Sequence, residues 1–278
     1  MMSEDERLRI GAVSYLNTKP LVFGLDEVTP PVDVIYEVPS RLADSLSASK
    51  LDVGLIPVVE AITNPQYTIV SDACIACRGP VGSVKLFSRV PFGEIKTLAL
   101  DEGSRTSVIL TRVILSQKFQ VEPECEKLPI DQPWLESKTD AALVIGDRAM
   151  HGLDRSKQLE HGFEFEMDLG EFWNRWTELP FVFAVWAARP TVELGYVDEL
   201  LTTARDSGLK QIETICQSAE RERGFDCDEC RDYLTRNLHF HLGPTEKQGM
   251  NLFFEYAKRQ ELLKPELNLH FHDCQTTG

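Results

Sequence analysis

Positive charge is in short supply. The 278-residue chain sets 29 lysines and arginines against 44 aspartates and glutamates, for a net charge of −15. That deficit argues against a general nucleic-acid binder, which needs a basic surface to displace counterions, and against electrostatic docking on anionic lipid. It leaves room for a small anionic ligand, because a pocket can be locally positive within an acidic protein. Long hydrophobic runs are also missing: the longest, residues 181–188, falls far short of the ~18 residues of a membrane span. The first residues place three acids ahead of a short apolar stretch at 10–13, which does not read as a secretory signal, so a cytoplasmic protein is expected. Neither G-x-x-x-x-G-K-[ST] nor G-x-G-x-x-G occurs, and nothing supports a nucleotide cofactor.

Cysteine is present, but not as a framework. The seven residues (74, 77, 125, 216, 227, 230 and 274) are odd in number, which favours free thiols. Two pairs have C-x-x-C spacing, Cys74/Cys77 and Cys227/Cys230, but they lie about 150 residues apart, whereas zinc modules gather such pairs closely. The first pair sits in an apolar stretch where cysteine behaves as a small hydrophobe. The second lies in a polar helical region and could form a redox or zinc pair. His239-Phe240-His241 and His270-Phe271-His272 would each put two imidazoles on one face of a strand. Cys274 lies nearby, yet no matching carboxylate or cysteine frame accompanies them, and no functional metal is expected.

At ~150 residues per domain, the length suggests about two domains. An apolar fraction of 42% and a charged fraction of 26% are ordinary for a globular protein with a sizeable core. Strand signals occur at residues 9–13, 32–38, 52–56, 67–70, 83–88, 97–100, 141–145 and 181–188. Helices are expected from Pro39-Ser40 to about residue 47, after Pro57, and over 104–119. From about residue 192 to 264 the pattern is helical, and 265–278 reads as a loose tail. This order predicts an α/β fold with a mostly parallel sheet. Residues 84–96 and 181–189 are the expected crossings between two lobes, one formed by 1–90 plus 186–278 and the other by the inserted 91–185. A ligand would then sit between the lobes, at the carboxyl ends of strands.

The loops at those ends are rich in hydroxyls and amides. They are Ser14-Tyr15-Leu16-Asn17-Thr18, Ser40-Arg41, Gly79-Pro80-Val81-Gly82-Ser83 and Ser104-Arg105-Thr106-Ser107. The last opens a helix, where backbone N–H groups, hydroxyls and the helix dipole make an anion seat, and Arg105 could add a fork for a carboxylate. Taken singly, each serine or threonine reads first as a helix cap. Four such loops converging on one cleft would make a pocket for a polyol or carboxylate. Asp147, after Ile145-Gly146, either faces the cleft or caps a helix. Ser104 and Ser107 have no evident histidine partner, since His151 and His161 lie in a charged stretch, so a Ser-His-Asp triad is not expected. Trp173 and Trp176, spaced i,i+3 and followed by Phe181, Phe183 and Trp186, read as helix packing before a substrate platform.

These loops carry a resemblance. Residues 11–21 (Gly-Ala-Val-Ser-Tyr-Leu-Asn-Thr-Lys-Pro-Leu), 39–44 (Pro-Ser-Arg-Leu-Ala-Asp), 52–57 (Asp-Val-Gly-Leu-Ile-Pro) and 79–84 (Gly-Pro-Val-Gly-Ser-Val) are similar to segments of the chorismate dehydratases of the futalosine route to menaquinone. So are Ser104-Arg105-Thr106-Ser107, Ile145-Gly146-Asp147, residues 179–186, Tyr233-Leu234 and Leu242-Gly243-Pro244. The likeness runs from about Arg9 to Arg259. The Ser14–Thr18 opening separates this family from the related dihydroxynaphthoate synthase. The resemblance implies a type II periplasmic-binding-protein-like fold with a cleft between two lobes.

It also implies the reaction. Chorismate loses water to give 3-[(1-carboxyvinyl)oxy]benzoate, aromatising its ring without metal or organic cofactor. The site must hold two carboxylates, orient the ring and support proton transfer and departure of hydroxide. Carried over residue by residue, Asn17 is the group expected nearest the reacting centre, orienting or stabilising rather than taking the proton. Ser104, Thr106 and Ser107 are expected on one carboxylate, Ser40 and Ser83 on the other or on the ring hydroxyl. Ser83 is placed with Asn17 in the catalytic set, and Ser14, Tyr15, Arg41, Arg105 and Asp147 complete the substrate contacts. Arg41 and Arg105 either add charge or form salt bridges between lobes. A substrate carboxylate is one candidate for the base. Two rivals stand beside this reading: a non-catalytic small-carboxylate binding protein of the same fold, and the ligand-sensing domain of a regulator, which the acidic charge disfavours. Oligomeric state is not legible.

Overall fold

A computed structural model of the chain describes residues 7–150 and 155–272. Strand β1 (Arg9–Val13) is buried after its first residue and pairs in parallel with β2 (Asp33–Glu37) and β3 (Val53–Pro57). β10 (Phe181–Ala188) is buried along its whole length because it lies inside the sheet, antiparallel to both β3 and β4 (Thr68–Cys77). β11 (His239–His241) pairs with the far edge of β4, giving the order β11-β4-β10-β3-β1-β2. The second sheet has the order β7-β6-β8-β5-β9, from β5 (Val84–Ser88), β6 (Thr97–Asp101), β7 (Glu124–Leu128), β8 (Ala141–Ile145) and β9 (Phe165–Asp168).

Helices cover these sheets. They are α1 (Pro39–Ser47), α2 (Val58–Thr63), α3 (Thr106–Ile114), α4 (Asp147–Met150), α5 (Arg155–Glu160), α6 (Leu169–Thr177), α7 (Leu194–Lys210), α8 (Ile212–Arg223), α9 (Cys227–Asp232) and α10 (Pro244–Arg259). The main apolar core draws on both sheets, and a smaller one gathers Phe87, Trp134 and Phe163. Trp173 belongs to the core: it is fully buried, its ring lies 5.4 Å from that of Phe181, and its indole N–H donates to the Pro180 carbonyl at 3.1 Å. Gly208 lets α7 press against the 3-10 helix Leu16–Val22. A Cβ there would fall 2.1 Å from the Pro20 carbonyl oxygen, so this glycine fixes where the Asn17 segment sits.

The α/β architecture matches the sequence expectation, but the sheets are mixed rather than mostly parallel. β10 runs against both its neighbours, and β5 runs against β8 and β9. Each of these strands is where the chain enters a sheet after leaving the other. Residues 84–88, expected as part of the outgoing crossing, form a strand of the second sheet, and 181–188 form a strand inside the first. The chain changes sheets between Cys77 and Val84, and again between Thr177 and Phe181. β4 is longer than expected because the polar pair Ser71-Asp72 interrupts its apolar pattern, at a point where its pairing register with β10 also slips. The expected helix 104–119 is α3 followed by a π-helical turn, Leu115–Phe119. The expected loose tail is tied down as far as His272. The Ile69 N–H donates to the His270 carbonyl, and the His272 N–H to the Ile69 carbonyl, both at 2.8 Å. His151 and Cys274 lie outside the described residues.

Candidate active site

Between the sheets lies a narrow cavity. Strand ends build it, with Val13 from β1, Pro57 from β3, Ile145 from β8 and Phe183 and Ala184 from β10. Its polar lining comes from three of the four loops singled out in the sequence: Tyr15 and Asn17, Ser83, and Ser104, Thr106 and Ser107. The fourth contributes Pro39 rather than a hydroxyl. Among the described residues, no aspartate, glutamate, histidine, lysine or arginine is in the lining.

Asn17 is buried in the 3-10 helix, its Oδ1 accepting from the Thr18 hydroxyl at 3.3 Å. Ser83, also buried, stands where the chain enters the second sheet. Its Oγ accepts a 2.8 Å hydrogen bond from the hydroxyl of Tyr233, and its carbonyl accepts from the Gly146 N–H at 2.8 Å. Ser104 performs the capping task expected of such residues, its Oγ accepting from the Ser107 N–H at 3.1 Å. Thr106, in the first turn of α3, is 2% exposed and its hydroxyl has no hydrogen-bond partner. A buried hydroxyl costs free energy until something pairs with it, so Thr106 points to a polar ligand atom. The α3 N-terminus adds positive potential beside it.

Tyr15 reaches from the first sheet's side to the second. Its ring lies where a Cβ on Gly146 would fall, 2.7 Å from ring carbons, and Gly146 itself has a φ of +65°. Burial, reinforced by Asp101, raises the Tyr15 phenol above its ordinary value, so it acts as a neutral hydrogen-bonding group.

The remaining expected residues do not line the cavity. Asp147, Arg105 and Ser40 tie its walls together. Asp147 Oδ1 accepts from the Leu16 N–H at 3.2 Å and its Oδ2 pairs with Arg223 at 3.0 Å. Arg223 also donates to the Ser14 carbonyl at 2.9 Å. Arg105 pairs with Asp44 at 2.6 Å and Glu60 at 3.1 Å, bridging α3 to α1 and α2. Burial opposes its charge, but these carboxylates raise its pKa further. The Ser40 N–H donates to the Gly103 carbonyl at 3.2 Å. Arg41 is exposed on α1 and pairs with Glu37 at 3.3 Å. Sequence reasoning missed Tyr233 and Arg223 as neighbours of the site. Tyr233-Leu234 carried a resemblance but no role, and Arg223 looked like one more charge on a polar helix.

The other candidates fall elsewhere. Cys74 and Cys77 are fully buried on β4, and burial pushes the Cys77 thiol up to about 12, so neither is a ready thiolate. Cys230 is pushed up to about 12 by burial and by its neighbours Cys216 and Cys227. Among the described residues, no group of three or more histidine, cysteine, aspartate or glutamate side chains is arranged to hold a metal ion. No helix among them is long and apolar enough to cross a membrane.

Two mixed sheets with a cavity between them define a class, the periplasmic-binding-protein-like fold. A solved structure from Archaeoglobus fulgidus shares it with a TM-score of 0.76 at 13% identity, over 94% of this chain and 100% of that one. So does the alkanesulfonate-binding protein SsuA of Xanthomonas axonopodis pv. citri, solved with bound MOPS, with a TM-score of 0.60 at 12% identity over 94% of both chains. Sequence narrows the class. The model of a family described as menaquinone biosynthesis matches residues 8–259, and the chain belongs to that family. A relative from Thermus thermophilus named chorismate dehydratase is 28% identical over 258 residues, 88% of this chain and 93% of its own length.

Proposed function

We propose that this chain is a chorismate dehydratase, a hydro-lyase that converts chorismate to 3-[(1-carboxyvinyl)oxy]benzoate in the cytoplasm. The observation that carries the reading is a cavity lined by neutral hydrogen-bonding groups, in a chain of the menaquinone-biosynthesis family. The two sheets are read as two lobes that close on the substrate. The reaction breaks the C3–H bond and the C4–OH bond of the ring and forms one C=C bond, releasing water. C3–H is vinylogous to the ring carboxylate, so negative charge spreads into that group as the proton leaves. The aromatic product makes the elimination strongly downhill.

Neutral donors suit this chemistry. Thr106, Ser104 and Ser107, with the first N–H groups of α3, hold one carboxylate. The open hydroxyl of Thr106 and the helix dipole favour an anion there without a paired cation. Ser83 and Asn17 face the ring, donating to the departing hydroxyl. Among the described residues, the lining offers no carboxylate, imidazole or amine to take the C3 proton, which favours a carboxylate of the substrate as the base. Ser40, Arg41, Ser14, Arg105 and Asp147 act on the walls rather than on the substrate.

Purified protein mixed with chorismate and followed by ultraviolet absorbance and mass spectrometry tests this. Loss of one water with growth of an aromatic chromophore is the expected result. Unchanged chorismate accompanied by a thermal shift would instead make the protein a carboxylate binder of the same fold, and no shift would reject chorismate as ligand.

A further inference from the structure

Tyr233 lies outside the cavity lining, about 150 residues along the chain from Ser83, yet it hydrogen-bonds to that lining residue. It opens the π-helical turn Tyr233–Asn237 that follows α9 and is 4% exposed. That turn sits on the segment by which the chain enters the second sheet. Asn237 Nδ2 donates to the Pro80 carbonyl at 2.9 Å, and the Tyr233 ring lies 3.7 Å from where a Cβ on Gly82 would be. The Tyr233 hydroxyl donates to Ser83 Oγ at 2.8 Å.

Counting protons on this cluster gives a direction. The phenol spends its single proton on Ser83 Oγ. Ser83 must then aim its own proton elsewhere, and the cavity is the space its side chain lines. Hydrogen bonds that run in one direction polarise one another, so the Ser83 hydroxyl becomes a stronger donor than an isolated serine. Burial raises the Tyr233 phenol above its ordinary value, which keeps it protonated and its donor role fixed.

We propose that Tyr233 is a positioning residue for the elimination, holding Ser83 so that its O–H points to the departing hydroxyl. This rests on reading the cavity as the chorismate site. The phenol takes no proton and touches no substrate. Its effect is on how the Ser83 hydroxyl points, and therefore on turnover more than on binding.

The test compares wild type, Tyr233→Phe, Ser83→Ala and the double variant by steady-state kinetics with chorismate, each checked by thermal melting. Removing one oxygen should lower kcat about tenfold or more while KM stays within about twofold. In the Ser83→Ala background the same change should lower kcat by clearly less, because the group it orients is gone. A Tyr233→Phe variant with wild-type kcat would overturn the proposal, as would an equal fractional loss in both backgrounds. Should Tyr233→Phe not fold, 3-fluorotyrosine at position 233 keeps the shape and strengthens the donor. It should change kcat in Ser83 protein and not in Ser83→Ala protein, and identical behaviour in both would reject the coupling. A wild-type protein that leaves chorismate unchanged fails the functional reading itself, which separates that failure from a failure confined to Tyr233.

Discussion

Thr106 shows how a binding site is stored in a protein before its ligand arrives. Its hydroxyl is buried without a partner, an arrangement that lowers stability and is repaid on binding. Replacing it with the near-isosteric valine removes the unpaired group and the ligand contact together. Thr106→Val should leave the free protein as stable as wild type or more so, by up to about 1 kcal/mol, while raising KM for chorismate about tenfold. Thermal melting and steady-state kinetics read the two effects separately. At this scale the sequence was informative about polar loops and less so about which side chain faces the cavity. Asn17, Ser83, Ser104, Thr106 and Ser107 line it, but Arg41 turns to Glu37 at the end of β2 and Arg105 to carboxylates on α1 and α2. A strand-to-helix loop presents both kinds of residue, and only the packing of the second sheet against the first decides between them.

Elements with a clean apolar period were readable, whereas edges and joints were not. β7 and β9 were missed because these short edge strands are broken up by charged residues and lack an apolar run, and β11 hides in a stretch otherwise helical. The joint after β8 matters most for the site. Gly146 combines a φ of +65° with a Tyr15 ring 2.7 Å from where its Cβ would stand. Gly146→Ala should therefore destabilise the protein by about 1–3 kcal/mol and displace Tyr15 from the cavity wall. The expected sign is a lower melting temperature together with a KM that rises by more than kcat falls. A variant that melts as wild type and keeps its KM would show that the wall adapts without cost.

Across the whole molecule, ties between the two sheets hold the cavity closed. Arg105 reaches Asp44 and Glu60 on one side, and Asp147 reaches the Leu16 N–H and Arg223 on the other. The Arg105 side chain is one-third exposed, so salt screens its pairs appreciably. Arg105→Gln should weaken closure, with a KM raised severalfold and a radius of gyration by small-angle scattering that shrinks when substrate is added. An unchanged KM at low and high salt would mean these pairs do not govern closure. The same fold serves proteins that only bind, and what this reading adds is chemistry placed in the cleft by Asn17 and Ser83. Asn17 tests that most directly, because it lines the cavity without carrying charge. Chorismate mixed with Asn17→Ala protein should still produce a thermal shift close to that of wild type, while product formation falls about a hundredfold or more. Wild-type turnover from Asn17→Ala would contradict the account, because the elimination would then not depend on the group placed nearest its reacting centre.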